Sequence, residues 1–64
     1  MINLLKDYEY KLIEKISNDL DTAELFVAIH NINYAAMYVA SAKNELLKLR
    51  KVRLFLREFG EQNG

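Results

Sequence analysis

Between Leu25 and Ala42 the chain reads LFVAIHNINYAAMYVASA, eighteen residues with no Asp, Glu, Lys, Arg, Gly or Pro. A stretch without a breaker and without charge leaves few folds open. At about 100° per residue, Leu25, Ile29, Ile32, Ala36 and Val39 share one direction, while Phe26, Val27, Tyr34, Met37 and Tyr38 point elsewhere. A helix that is apolar nearly all round is buried on more than one side. The run is bounded by Glu24 and Lys43, and the rest of the chain reads as its approach or its cover. Its length meets the screen for a membrane span, but His30, Asn31, Asn33 and Ser41 interrupt it and each is costly in hydrocarbon. The expectation is a central bundle helix and no membrane.

At 64 residues the chain is near the size at which one core only just sustains a fold, and self-association is a usual remedy. No Cys is available for disulfides or thiolate sites, and hydrophobic residues make up 52%, more than so small a body hides. Formal charge is zero, so there is no long-range field to attract nucleic acid or a bilayer. The halves nonetheless differ: residues 1–32 hold three Lys against six carboxylates, and residues 33–64 hold six Lys and Arg against three. Such halves attract one another when antiparallel. The opening MINLLKDYEY carries charge at once and is no secretory leader, which points to the cytoplasm. Abundant Phe, Tyr, Met, Ile, Asn and Lys follow AT-rich codons and suggest a low-GC bacterium or its phages and plasmids.

Periodicity predicts a short helix over 3–17, with Leu5, Tyr8, Leu12 and Ile16 as its stripe and Leu4, Ile13 and Leu20 widening it. Ser17-Asn18-Asp19-Leu20-Asp21 reads as punctuation. Asp21 with Glu24 forms a capping box, and Leu20 with Leu25 forms a hydrophobic staple. From there a long helix is predicted over 22–59, about 38 residues and roughly 57 Å, with Gly60 at its C-terminal cap. Residues 1–60 are thus one helical domain and 61–64 a frayed tail. Leu49, Val52, Leu56 and Phe59 form a clean second stripe. The fold class expected is all-α: an antiparallel helical-hairpin dimer, or alternatively a compact three-helix bundle broken near 41–45. Either arrangement sets Arg53 and Arg57 near Asp21 and Glu24.

Catalytic chemistry finds little support in these residues. His30 is the single imidazole; it lacks the further ligands of a zinc site and a partner for acid–base or nucleophilic work. No glycine-rich phosphate loop is present. The expectation is therefore a protein that is not an enzyme and takes no cofactor or metal. Tyr34, Met37 and Tyr38 form a patch of the kind favoured at interfaces, and together with Leu49, Val52, Leu56 and Phe59 they are the candidate protein-contact residues. Lys43, Arg50, Arg53 and Arg57 share a helix face and are candidate phosphate contacts. The leading expectation is a homo-oligomeric helical protein, a dimer, that binds another protein as a regulator or inhibitor. A nucleic-acid-binding dimer using the arginine face and a self-assembling structural component are the alternatives.

Overall fold

The computed structural model describes residues 2–60, so the expected tail at 61–64 lies outside the described residues. Helix α1 spans Ile2–Ala28, 27 residues, and helix α2 spans Ile32–Phe55, 24 residues. The chain then widens into a π-type turn, Leu56–Gly60, with the Phe55 and Phe59 rings 4.5 Å apart. Gly60 lies within this turn rather than past the end of an α-helix. The two long helices pack along each other as a helical hairpin, which is the all-α architecture expected.

The reversal falls elsewhere than expected. It lies at Ile29-His30-Asn31, inside the uncharged run, and α1 passes through Ser17–Asp21 without a break. At the turn the Asn31 N–H donates to the Phe26 carbonyl (2.8 Å) and the His30 N–H to the Val27 carbonyl (2.9 Å). These two bonds form a Schellman closure, which needs a left-handed residue where they cross. His30 supplies it, with φ 64°; histidine is one of the few non-glycine residues enriched there. Asn31 then caps α2. Its Oδ1 accepts a long bond from the Tyr34 N–H (3.4 Å), and its carbonyl accepts from the Ala35 N–H (3.1 Å). One residue thus ends the closure of α1 and begins α2.

The expected capping box does not start a helix, and the reason lies in packing. Asp21 and Glu24 are exposed on the outside of α1, and Thr22 Oγ1 donates back to the Asn18 carbonyl (2.8 Å), a bond made inside a continuing helix. Capping residues favour a helix start only where the preceding backbone leaves the helix. Here Ile16, Asp19, Ala23 and Phe26 continue one inward-facing row, so tertiary contact holds the segment helical. Likewise α2 runs unbroken through 41–45, and the three-helix alternative does not form.

Inward residues recur at alternating steps of four and three. On α1 they are Leu5, Glu9, Leu12, Ile16, Asp19, Ala23 and Phe26; on the returning strand of the hairpin they are Asn31, Ala35, Tyr38, Ala42, Glu45, Leu49, Val52 and Leu56. This is the spacing of a two-helix coiled-coil seam. Its apolar core is Leu12, Leu49 and Val52 with Ile16 and Leu56 against them. Nearer the turn the seam is built of Ala23, Ala35 and Ala42, with the carboxylates of Asp19 and Glu45 also buried. Small residues bring the backbones close but bury little apolar area. The result is a rod of 49 × 15 × 13 Å with a radius of gyration of 14.8 Å, where a compact chain of this length has about 11 Å.

The turn yields a direct prediction. Replacing His30 by Gly removes the left-handed strain and is expected to stabilise the fold by up to about 1 kcal/mol. His30→Val is expected to destabilise it, and Asn31→Ala to cost about 1 kcal/mol through the lost cap. Urea unfolding followed by circular dichroism gives the order Gly, wild type, then the other two.

Candidate functional site

The hairpin seam leaves two broad sides, and they differ in chemistry. Reversing a helix reverses the sense in which its residues rotate, so residues one step after the seam border the same side in both helices of an antiparallel pair. On α1 those residues are Ile13, Leu20 and Val27; on α2 they are Ile32, Val39 and Leu46. Counting outward from the turn matches Val27 with Ile32, Leu20 with Val39, and Ile13 with Leu46. All six are between 37% and 59% exposed. They form an aliphatic ladder, with the exposed Glu24 and Lys43 at its outer margins. At the open end of the hairpin the next rung is Lys6 and Arg53, and the ladder stops.

The opposite side is mixed. Lys15, Asp19, Tyr34, Met37, Tyr38 and Ser41 line a shallow hollow of about 320 Å³. Lys15 Nζ spans it, donating to Asp19 Oδ2 at 3.2 Å and to Ser41 Oγ at 3.5 Å. Under the hollow's rim the Phe26 ring lies 5.4 Å from Tyr34 and stacks on Tyr38 at 5.6 Å, separations at which aromatic pairs attract. The Lys15 side chain is half exposed while Asp19 is nearly covered, so the lysine stem lies over the seam and its amine satisfies the buried carboxylate. Glu45 is held in the same manner by Lys48, at 3.9 Å. These pairs explain how acids survive in the seam; they set no nucleophile against a base.

The residues singled out from the sequence separate into three groups. Tyr34 and Met37 are exposed and Tyr38 half-buried beside them, so that patch holds together as one surface. Leu49, Val52 and Leu56 pack with Leu12 and Ile16 of the same chain, in the hairpin core. Phe59 lies against Phe55 at the C-terminal turn. Among the cations, Lys43 and Arg50 of α2 and Arg57 of the C-terminal turn are exposed at seven-residue spacing. Arg53 differs from the expectation that sets it near Asp21 and Glu24. It bonds Glu9 Oε2 at 3.0 Å, because Asp21 and Glu24 lie towards the turn and Arg53 near the open end. His30 is the turn residue already described.

The aliphatic ladder went unrecognised in the sequence as one surface. Its residues were visible, but Ile13 and Leu20 read as flanks of one stripe and Ile32 and Val39 as members of another. Only the position of the turn brings the two columns side by side. Among the described residues, no group of three or more side chains could hold a metal ion, and no helix is long and apolar enough to cross a membrane.

The buried acids can be tested. Glu45→Leu places an aliphatic group opposite Leu12 and removes a carboxylate held by one half-exposed lysine. With the lysine half exposed and 3.9 Å away, the pair contributes at most about 1 kcal/mol, so the variant is expected to match or exceed wild-type stability. Ala42→Leu, at a close approach of the helices, is expected to lose about 1–3 kcal/mol. Thermal unfolding should therefore place Glu45→Leu at or above wild type and Ala42→Leu below it. Comparison with family models, with curated proteins and with solved structures gives no match to this chain.

Proposed function

We propose that this chain is a homodimeric protein-binding module that pairs through its aliphatic ladder and presents its tyrosine–methionine side to a partner. The observation that carries the reading is the ladder itself: Ile13, Leu20 and Val27 beside Leu46, Val39 and Ile32, all exposed. A two-helix seam with Leu12, Leu49 and Val52 as its large buried residues is marginal by itself. A side of a rod 49 Å long and 15 Å wide is of the same order as the roughly 800 Å² per partner of a standard interface. Two ladders laid together by a twofold axis supply the apolar layer that the seam lacks, as in a four-helix bundle.

Pairing of this kind covers one side and leaves Tyr34, Met37 and the Lys15–Asp19–Ser41 hollow open on the other. Tyrosine and methionine bring large, adaptable contact area at low entropic cost. Mounted on a rigid helix, they lose little freedom on docking. The mode of action that follows is occlusion: the dimer covers a functional surface of another protein, as a regulator or inhibitor does.

Light scattering tests the dimer. The expected mass is twice the 7.5 kDa of the chain, and Leu20→Glu with Val39→Glu is expected to reduce it to a monomer that loses most of its helicity. A wild type that stays at the single-chain mass at high micromolar concentration, and still unfolds cooperatively, overturns the reading. The partner side is tested separately. Tyr34→Ala with Met37→Ala is expected to keep the dimer mass while losing a stoichiometric protein recovered from nuclease-treated lysate by the wild type. Recovery of the same protein by both forms removes that patch from the proposal.

A further inference from the structure

Neither the seam nor the ladder accounts for the outermost row of α2. On the helix surface farthest from the seam, a hairpin meets water, and α1 follows that rule with Asp7, Glu14 and Asp21. The same row on α2 is Asn33, Ala40, Leu47 and Leu54. Leu47 and Leu54 are 56% and 55% exposed, seven residues and about 10 Å apart. They point away from both helices of the hairpin and lie off the side that carries the ladder, so the dimer proposed above leaves them uncovered.

Their surroundings are cationic. Leu47, Arg50, Lys51 and Leu54 line an open hollow of about 340 Å³, and Arg50, Arg53, Leu54 and Arg57 line a second of about 230 Å³. The two share Arg50 and Leu54 and form one shallow groove along the helix. No carboxylate lines either hollow; Glu9, which bonds Arg53, and Glu58 are not part of the lining.

We infer that this groove docks an acidic amphipathic helix of another protein, with aliphatic residues at i, i+3 or i+4, and i+7 seated along Leu47 and Leu54 and carboxylates on its flanks facing Arg50, Lys51 and Arg57. This is helix-in-groove recognition, and it names a partner chemistry for the protein-binding role on which it rests. Charge complementarity selects the occupant. Guanidinium groups pair with carboxylates in a planar, two-point geometry, and an apolar floor flanked by cations rejects a basic or purely polar helix. A second copy of this chain is a poorer match. Its acidic row Asp7, Glu14 and Asp21 is bordered by Lys11 and Asn18, so docking that row would set carboxylates on the leucines and a lysine against the arginines.

The test uses the full chain and a fluorescent probe: a capped helical peptide of about three heptads with one leucine stripe flanked by Glu, and its twin with Lys in place of Glu. Fluorescence anisotropy is expected to show the Glu peptide saturating one site per chain at least tenfold more tightly than the Lys twin. Binding is expected to fall at least tenfold in Leu47→Gln with Leu54→Gln, and again in Arg50→Glu, with helicity and dimer mass unchanged. Equal binding of the two peptides, or binding that survives the leucine changes, overturns the inference. A fall in oligomer mass on changing Leu47 and Leu54 overturns it in favour of a second copy. A short single-stranded RNA that displaces the Glu peptide and binds the Leu47→Gln, Leu54→Gln variant as well as the wild type overturns it in favour of phosphate recognition. Failure of the dimer is read separately, from the mass of the Leu20→Glu, Val39→Glu variant.

Discussion

Everything about this molecule's surfaces follows from where the chain reverses. His30 in the left-handed region closes α1, and Asn31 opens α2 one residue later. That two-residue device sets which residue of α1 stands level with which of α2, and so fixes the seam, the ladder and the outward rows together. A turn one residue earlier or later would rotate one helix by about 100° against the other. Leu49 and Val52 would leave the seam, and basic or aliphatic neighbours would enter it. No disulfide or glycine enforces the reversal; its two crossing hydrogen bonds and the asparagine cap do.

The seam so defined is thin where a single-chain domain would be thick. Leu12, Leu49 and Val52 are its large buried residues, and none of the described side chains of appreciable size falls below 2% exposure. Ala23, Ala35 and Ala42 bring the helices close near the turn without burying much. Close approach has a geometric consequence: with the backbones near each other, the flanking columns Ile13–Leu20–Val27 and Ile32–Val39–Leu46 are drawn together into one continuous strip. The alanines that weaken the hairpin as a core are therefore also what favour the close flanking of the two columns.

How much of this was legible in the sequence depended on which signals survive without the turn. Helix content and the hairpin did, since 3.6-residue periodicity and the absence of Pro do not depend on register. Leu12 and Ile16, and Leu49, Val52 and Leu56, share the core as their spacing groups them, whereas Tyr8 and Phe59, which the same spacing adds, are exposed. The helix boundary was not legible. Asp21 and Glu24 have the chemistry of a capping box, and Ile29-His30-Asn31 has none of the Gly or Pro that normally marks a turn. Local propensity favours a start at Asp21 by about 1 kcal/mol, but Ile16, Asp19, Ala23 and Phe26 keep that stretch packed on α2, and packing outweighs it. Once the boundary is misplaced, a wheel drawn from Leu25 to Val39 crosses the real turn. Leu25, Ile29, Ile32, Ala36 and Val39 then look like one face when they belong to two helices.

The second apolar stripe, Leu49, Val52 and Leu56, has a physical reading that needs no break near 41–45. The seam of α2 continues straight through Ala42, Glu45, Leu49 and Val52. What changes is the ladder column beside it, aliphatic at Ile32, Val39 and Leu46 and cationic at Arg53. The outward row changes the other way, from Asn33 and Ala40 near the turn to Leu47 and Leu54 near the open end. One helix therefore carries two apolar surfaces displaced from each other along its length, with Lys43, Arg50 and Arg57 in the column between them. A single globular core does not need that arrangement, because it buries one stripe and solvates the rest. In the pairing and docking proposed above, the two apolar surfaces meet different neighbours, and the line of cations is what divides them.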